Sequence, residues 1–251
     1  MKLKSSASVR NVSHERWLEA QAWERDLWVT SQEKQGWRRV AWPVVRPMLR
    51  AMRWRRAWGD DWNHWWADHF DDYRFLPEQL GDYIELGCGP YTNTRLLLPG
   101  RKADRVVCSD PLAETYITFP DRWLARAHRE GLVEIDAHPI EELPFEDGSF
   151  DVVVMNNVLD HVQDADRCLE RATGLLRPGG IFVFGQDLSD DEDVRNHPED
   201  IGHPIRLARE DVDRHLIDLE TLLRKDLTRE QGREPRLHYG TLIYAGRKPA
   251  E

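Results

Sequence analysis

The sequence predicts an α/β fold in which a mostly parallel, seven-stranded sheet carries helices on both faces. From residue 83 onward, apolar strand-like runs alternate with helix-like stretches, as in parallel sheets whose crossovers cover both faces. The first of these runs ends in a Gly-x-Gly turn that leads into a helix. Ten of the 11 tryptophans lie within the first 66 residues. That concentration predicts a separate helical, Trp/Arg-rich cap over residues 1–76, followed by the α/β domain over 77–251.

The composition indicates a globular protein whose charge is unevenly distributed. Of the 251 residues, 40% are hydrophobic and 32% are charged, and the net charge is −10. Residues 1–56 carry 13 Lys and Arg against 5 Asp and Glu, whereas the remainder carries 22 against 40. An acidic body argues against a nucleic-acid partner. No apolar run is long enough to cross a membrane, and the first residues lack a signal peptide's apolar core, so we expect a cytoplasmic protein.

The N-terminal region is expected to be helical. Apolar positions over residues 14–35 follow helical spacing, and 61–70 has the pattern of a further short helix. Between them, Trp and Arg are interleaved over residues 37–58. We favour a cap packed on the sheet domain. The alternative is a peripheral contact at the inner membrane surface, where aromatic rings and arginines meet lipid headgroups.

The remaining elements follow from hydrophobic periodicity. Strands are predicted near residues 83–86, 105–109, 132–135, 151–156, 180–185, 221–227 and 239–246. Helices are predicted near residues 92–98, 112–128, 163–176 and 208–219. The last strand follows its predecessor with no helix between them, which predicts an antiparallel addition at the edge of the sheet.

The turn after the first strand is the most informative local feature. Gly87 and Gly89 let the backbone approach a ligand because neither carries a Cβ atom, and the helix behind them offers unpaired N–H groups. A dinucleotide fingerprint needs a third glycine where Thr92 stands. Glu85 precedes the turn instead, and an acid suits S-adenosylmethionine, which carries a sulfonium and an amino group but no pyrophosphate. The alternative is a purely structural strand–helix turn.

An acid also follows the second predicted strand. Asp110 comes about 20 residues after the glycine turn, where a carboxylate can accept hydrogen bonds from both ribose hydroxyls of a nucleoside. The alternative role is a helix cap ahead of Pro111. The order of the motifs favours the ribose role.

Four motifs follow one another along the α/β region. They are Glu85–Gly89, Val106–Asp110, Ile135–His138 and Leu143–His161. Together they resemble class I S-adenosylmethionine-dependent methyltransferases of the broad type-11, ubiquinone/menaquinone-methylase-like group. The resemblance implies a Rossmann-like fold with S-adenosyl-L-methionine as cofactor. One departure is Tyr91, which stands where this group often has a third glycine.

The resemblance also implies which residues hold the cofactor. They are Glu85, Gly87, Cys88, Gly89, Asp110, Asp136, Ala137 and Asn156. The glycine turn would line the methionine end, and Asp136 and Ala137 would meet the adenine amino group and a ring nitrogen. An ordinary turn at the end of a strand is the alternative for Asp136. Asn156 leaves the fourth strand at the carboxyl edge of the sheet, where ligands of open α/β sheets bind.

Methyl transfer to a hydroxyl group needs a base after the fourth or fifth strand. Candidates are His161, whose ordinary pKa suits neutral pH, Asp187, which follows the fifth strand, and His203, which lies in a polar loop. The alternative roles are structural for His161 and those of a solvated loop for His203. No metal-ligand spacing is evident, so no metal site is expected. The acidic run at residues 190–193 is interpreted as a solvated turn, with a magnesium site as the alternative.

Candidate acceptor-binding residues come from the predicted cap, the glycine turn and the polar loop. They are Trp65, Trp66, Tyr91, His197 and Arg206. Aromatic faces of this kind stack on sugars and on aromatic rings.

The sequence therefore predicts a methyltransferase that acts on a small-molecule or sugar acceptor, most plausibly at oxygen. One alternative is N-methylation of an amino sugar or metabolite. A second is a catalytically inactive cofactor-binding scaffold that activates another enzyme. A base-methylating DNA enzyme is disfavoured, because Asn156–Leu159 stands where those enzymes carry Asn/Asp-Pro-Pro-Tyr/Phe. The oligomeric state is left open.

Overall fold

One seven-stranded sheet forms the centre of the protein. The computed structural model describes residues 8–33, 63–197 and 200–250. The strands are β1 (Asp82–Leu86), β2 (Arg105–Ser109), β3 (Glu134–Asp136), β4 (Phe150–Asn156), β5 (Leu176–Leu188), β6 (Glu220–Thr228) and β7 (Gly240–Arg247). Their order across the sheet is β3-β2-β1-β4-β5-β7-β6. All neighbours from β3 to β5 pair in parallel, which confirms the predicted fold class.

Helices cover both faces of this sheet. They are α1 (His14–Glu33), α2 (His64–His69), α3 (Thr94–Leu97), α4 (Ala113–Tyr116), α5 (Trp123–Arg129), α6 (Ala165–Leu175), α7 (Asp191–Asn196) and α8 (Arg209–Leu216). Buried side chains of α6 and α8 pack on one face, and those of α2 to α5 pack on the other. Successive side chains of a strand point to opposite faces of the sheet. Alternate residues of β1, β2 and β4 therefore pack into the hydrophobic core on one face or on the other.

The last strand differs from the expectation in its position. β7 is antiparallel, as predicted, but it lies between β5 and β6 and pairs with both. β6 therefore forms the edge. The burial pattern explains the order, because β7 is buried along seven of its eight residues whereas β6 has none buried.

Two further expectations are corrected by local chemistry. The helix predicted over residues 112–128 is split into α4 and α5, and Pro120 lies in the break, where proline cannot continue a helix. The acidic run at 190–193 is the start of α7. Asp190 accepts hydrogen bonds from the backbone N–H groups of Glu192 and Asp193, and the Asp193 carboxylate accepts from Asp190 N, which forms a capping box.

The N-terminal elements pack directly on the sheet domain. Trp66 and Phe70 of the α2 region are buried in the same core as Tyr83 and Val152 of the sheet. The division at residue 76 remains a prediction. Residues 37–58, for which both a cap and a membrane contact were considered, lie outside the described residues. Among the helices of the described ranges, none combines the length and the apolar composition needed to cross a membrane.

A buried carboxylate fixes the start of α3 at the carboxyl end of β1. Glu85 is 1% exposed, and its Oε1 accepts from Asn93 N at 2.8 Å and from Asn93 Nδ2 at 2.9 Å. Its Oε2 accepts from Thr94 N at 2.9 Å and from the hydroxyls of Thr92 and Thr94. Unpaired N–H groups at a helix start are thereby satisfied. The intervening glycine turn is tied down at both of its ends.

The Glu85 contacts predict a loss of stability on substitution. Glu85→Gln replaces an acceptor oxygen with an NH2 group that faces N–H and O–H donors, so it should lower the free energy of unfolding by about 2–4 kcal/mol. Urea denaturation followed by circular dichroism measures the change. Glu134→Gln on β3 is the matched control. Its carboxylate pairs with Arg105 at an exposed position, so it should cost less than about 1 kcal/mol. Equal stability of both variants would contradict this role of Glu85.

Candidate functional site

The candidate active site lies at the carboxyl edge of the sheet, at the topological switch point between β1 and β4. β1 pairs with β2 on one side and with β4 on the other, and such a switch point opens a crevice beyond the strand ends. A cavity of about 200 Å³ occupies this position. Its wall combines the glycine turn, Asp110, the loop after β4 and one side of α1.

The glycine turn brings backbone to the cavity wall. Gly87 and Gly89 have φ angles of +63° and +56°, which side-chain-bearing residues rarely adopt. A Cβ atom at Gly87 would come within 2.5 Å of the Val158 methyl groups, so glycine allows the β1 and β4 loops to touch. Cys88 N donates to Ser109 O at 3.0 Å, which attaches the turn to the end of β2. Gly87, Cys88 and Gly89 all line the cavity, as the sequence led us to expect.

Asp110 lies in this cavity as a buried carboxylate. Its Oδ2 accepts from Gly89 N at 3.0 Å, and its Oδ1 accepts from Leu112 N at 2.8 Å. It therefore caps the following segment and also orients the glycine turn. Burial, and then the negative charge of Glu24, raise the pKa of Asp110 to about 7, although the two backbone hydrogen bonds lower it.

Glu24 was not identified from the sequence. It projects from α1 into the cavity, where its Oε1 accepts from Trp28 Nε1 at 3.1 Å and from Tyr116 Oη at 3.3 Å. Its Oε2 lies 3.3 Å from His161 Nδ1. Helical periodicity predicted that α1 would bury one face, but it did not indicate which acid that face would carry into the site.

Helix α1 forms one wall of the cavity and is anchored to the loops around it. Trp17 Nε1 and Gln21 Nε2 both donate to the carbonyl oxygen of His161, at 3.1 and 3.3 Å. The Arg16 guanidinium donates to the carbonyl oxygens of Asp200 and Ile201. These bonds place the Trp17, Trp23 and Trp28 side chains along the cavity.

Two histidines from distant parts of the chain meet in the wall of the same cavity. The ring centroids of His161 and His203 are 4.6 Å apart, and both residues line the cavity. His203 Nδ1 lies 2.9 Å from both carboxylate oxygens of Asp200. Burial alone would lower the pKa of His203, but the hydrogen bond to Asp200 and the charge of Asp160 raise it above its ordinary value. The structure thus brings together two base candidates that are 42 positions apart in the sequence.

The third base candidate lies elsewhere. Asp187 is buried behind the cavity, where its Oδ1 accepts from Thr241 Oγ1 at 2.6 Å and its Oδ2 lies 3.4 Å from Arg233 Nε. Arg233 in turn lines the cavity with its guanidinium carbon 5.5 Å from the centre of the Trp66 ring. Asp187 therefore holds an arginine in place and is not positioned to receive a proton from a molecule in the cavity.

The predicted cofactor residues occupy different depths. Asn156 lines the cavity, and its buried amide makes no hydrogen bond of good geometry to any described residue. Glu85 lies beneath the glycine turn and outside the cavity wall, so any influence on a ligand passes through that turn. Asp136 is the last residue of β3 and Ala137 follows it; both lie beside Asp110 but outside the cavity wall. Asp136 O accepts from Asp110 N at 3.0 Å, and the Asp136 carboxylate accepts from the His138 backbone.

The predicted acceptor residues also separate into two groups. Trp66 and Tyr91 line the cavity, whereas Trp65 stacks on His69 with ring centroids 3.8 Å apart. His197 and Arg206 lie outside the cavity wall. His197 Nε2 contacts Arg236 O at 3.2 Å, and Arg206 pairs with Asp200 at 3.5 Å.

Sequence analysis missed several residues of this site, although Asp160 lies within the fourth motif and Asp200 lies in the polar loop. These are Asn63, whose Nδ2 donates to Tyr91 O, together with Glu24, Asp160, Asp200 and Arg233. Only the acidic and basic character of the loops could have suggested the last three. Their tertiary partners could not be inferred from spacing along the chain.

Part of the chain is similar in sequence to known methyltransferases. Residues 84–184 match the family model described as a methyltransferase domain. The human thiol S-methyltransferase TMT1B is 33% identical over 109 residues, which span 43% of this chain and 43% of that protein. The 27-O-demethylrifamycin SV methyltransferase of Amycolatopsis mediterranei is 27% identical over 154 residues, 53% of each. The chain thus spans about half the length of these relatives.

Solved structures show the same fold. The 1,6-didemethyltoxoflavin-N1-methyltransferase of Burkholderia thailandensis, crystallised with 1,6-didemethyltoxoflavin and S-adenosylhomocysteine, aligns with a TM-score of 0.55. The sequence identity is 19%, and the alignment covers 98% of this chain and 94% of that one. Residues 84–184 therefore resemble a methyltransferase domain in sequence, and the chain shares the fold of this solved methyltransferase.

Proposed function

We propose that this protein transfers the methyl group of S-adenosylmethionine to an oxygen atom of a small-molecule or sugar acceptor. The observation that carries the proposal is that one cavity joins the glycine turn and Asp110 to the pair His161 and His203. The first set suits a nucleoside cofactor. The second offers a proton acceptor at the other end of the same space.

The cofactor would lie along the ends of β1, β2 and β4. Asp110 accepts hydrogen bonds from the ribose hydroxyls, and the backbone of Gly87 and Gly89 allows the methionine end to come close. Asn156 supplies an unpaired buried amide at the boundary between cofactor and acceptor. Asp136 and Ala137 continue the same edge of the sheet beyond Asp110, which supports their assignment to the adenine. Glu85 acts indirectly, by holding the turn in shape.

The methyl transfer step needs alignment above all. S-adenosylmethionine already carries a good leaving group. Holding the acceptor oxygen in line with the methyl–sulfur bond therefore supplies the largest part of the reduction in the activation free energy, up to about 7–11 kcal/mol. The C–O bond forms as the C–S bond breaks, and the electron pair stays on sulfur. The hydroxyl proton passes to His203 Nε2. Asp200 holds the Nδ1 side of that ring and stabilises the imidazolium that results.

The walls of the cavity favour a flat or ring-shaped acceptor. Trp17, Trp23 and Trp66 present aromatic surface to it, and such faces stack on sugars and aromatic rings. Arg233 adds a positive charge beside Trp66, which suits an acceptor with a carboxylate or another anionic substituent. An amine acceptor is the alternative. It would be distinguished by product analysis after incubation with matched hydroxyl and amino compounds.

Asp110→Asn should weaken S-adenosylhomocysteine binding roughly ten- to hundredfold, because a charge-assisted hydrogen bond to the ribose is lost. Isothermal titration calorimetry measures the dissociation constant. Asp104→Asn is the matched control, since Asp104 is exposed at the opposite end of β2 and should leave the dissociation constant unchanged. Wild-type affinity in Asp110→Asn would remove Asp110 from the ribose role.

Cofactor affinity should depend on pH through Asp110. The pKa of this carboxyl is raised to about 7 by burial and by Glu24, and ribose hydroxyls donate best to the ionised form. The dissociation constant for S-adenosylhomocysteine should therefore be flat above pH 8 and rise up to about tenfold per unit below pH 7. Glu24→Gln removes the neighbouring charge and should move this transition to lower pH. An affinity that is constant from pH 6 to 8 would contradict the assignment.

His203→Gln should lower kcat by about 10²–10⁴-fold while the dissociation constant for S-adenosylhomocysteine stays unchanged, because the side chain serves the acceptor and not the cofactor. Release of S-adenosylhomocysteine in the presence of a hydroxyl-bearing acceptor measures kcat. His128→Gln is the control, since His128 on α5 contacts Val133 O away from the cavity. Undiminished turnover in His203→Gln would eliminate this base.

A further inference from the structure

We propose that Asp160, His161 and His203 form a binding site for one divalent transition-metal ion at the acceptor end of the cavity. Among the described residues, these three are the group of potential ligands whose donor atoms all lie within 4.8 Å of one another. His161 Nε2 is 3.9 Å from Asp160 Oδ2, and the two imidazole centroids are 4.6 Å apart. The site is not evident along the chain, because its ligands follow no known metal-binding spacing.

The distances between the donor atoms of Asp160, His161 and His203 suit a site whose ligands move slightly together when an ion binds. Ligands bound at about 2.1 Å in tetrahedral geometry lie about 3.4 Å from one another. The observed separations exceed that value by an amount that a small rotation of the side chains can remove. His161 and His203 are each partly exposed to the cavity, whereas Asp160 lies behind them. The three ligands therefore approach the ion from one side and leave positions open toward the cavity.

The second nitrogen of each imidazole already has a carboxylate partner. His203 Nδ1 lies 2.9 Å from Asp200 Oδ1, and His161 Nδ1 lies 3.3 Å from Glu24 Oε2. A carboxylate hydrogen-bonded to Nδ1, as at His203, fixes the tautomer that leaves a lone pair on Nε2, which is how metal-bound histidines are commonly oriented. His161 Nδ1 lies near a carboxylate but makes no hydrogen bond of good geometry to a described residue. Two independent elements, α1 and the 200–203 loop, supply these carboxylates. That arrangement is difficult to explain for a surface pair of histidines.

The charge of the cluster also favours a cation. Asp160, Glu24 and Asp200 surround two imidazoles, and Arg206 pairs with Asp200 at 3.5 Å. Asp160 is 5% exposed, and Gln186 Nε2 donates a long hydrogen bond of 3.4 Å to its Oδ1. A buried carboxylate with so little hydrogen bonding is stabilised by a nearby positive charge. Two imidazole nitrogens and one carboxylate oxygen suit Zn²⁺, Mn²⁺, Fe²⁺ or Co²⁺ better than Mg²⁺ or Ca²⁺.

The ion would activate the acceptor of the proposed reaction, and this part rests on the proposed function. An acceptor hydroxyl bound to the ion loses its proton to solvent more readily, because coordination lowers its pKa. Its oxygen then forms the C–O bond as the C–S bond breaks. A coordinated imidazole cannot accept that proton at the same time. Loss of turnover in His203→Gln is expected for either role, so metal addition must distinguish them.

The test uses the full, untagged protein after treatment with a chelator and exchange into metal-free buffer. Titration with CoCl2, followed by visible absorption, and with ZnCl2, followed by calorimetry, should show one ion per chain with a dissociation constant below about 10 µM. Asp160→Asn, His161→Gln and His203→Gln should each weaken binding by at least about tenfold. His128→Gln should bind as the wild type does. Circular dichroism checks folding, and the two histidine variants suffice if Asp160→Asn does not fold.

The outcomes separate the two proposals. The absence of stoichiometric binding, or equal binding in both histidine variants and the wild type, overturns the metal site. Metal binding that is lost in the variants, with no methyl transfer to any acceptor, supports the site and refutes the proposed function. Methyl transfer that is equally fast in the metal-free and the metal-loaded protein overturns the activating role of the ion. Restoration of turnover in the metal-free wild type, but not in His161→Gln, supports that role.

Discussion

The hydrogen bonding of Glu85 is the constraint on which the geometry of the site depends. One buried carboxylate joins the end of β1 to the start of α3 through Asn93 and Thr94. The glycine turn spans the distance between these anchors. Its backbone can then reach both Ser109 and Asp110 at the end of β2. Glu85, which the sequence predicts as a cofactor-binding acid, therefore lies beneath the glycine turn. It holds the shape of the cavity that other residues line.

Helix α1 completes the site from outside the sheet. It brings aromatic surface to the cavity and is tied to the β4 loop through the carbonyl oxygen of His161. It also places Glu24 between Asp110 and His161. A carboxylate in that position connects the two ends of the cavity electrostatically. The pKa of Asp110 and the surroundings of the His161 imidazole both depend on the Glu24 carboxylate.

The sequence predicted the framework of the site because the framework is local. Strand runs, the turn at Gly87 and Gly89, and the acid after β2 are all read along the chain, and the parallel sheet brings strand ends to one edge. Asp110 and Asn156 consequently line the cavity. The position of β7 was mistaken because periodicity shows that a strand exists but not which neighbours it pairs with. The structure shows β7 between β5 and β6, in agreement with the burial of seven of its eight residues.

The acceptor end was less accessible to sequence analysis because it is assembled from distant segments. His161 and His203 were identified separately, yet nothing along the chain indicated that they meet or that Asp160 lies beside them. Asp187 is expected to be a base because it follows the predicted fifth strand, but it lies within the longer β5, and its partners Thr241 and Arg233 belong to later segments. Tertiary contacts, and not residue type, separate a base from a residue that positions its neighbour.

A crystal structure of the protein with S-adenosylhomocysteine tests the central claim most directly. The account predicts ribose hydroxyls within hydrogen-bonding distance of the Asp110 carboxylate, with the homocysteine chain against the glycine turn and the sulfur directed toward His161 and His203. A ligand bound elsewhere on the molecule, or a crevice beyond β1 and β4 left empty at saturating ligand, would contradict it.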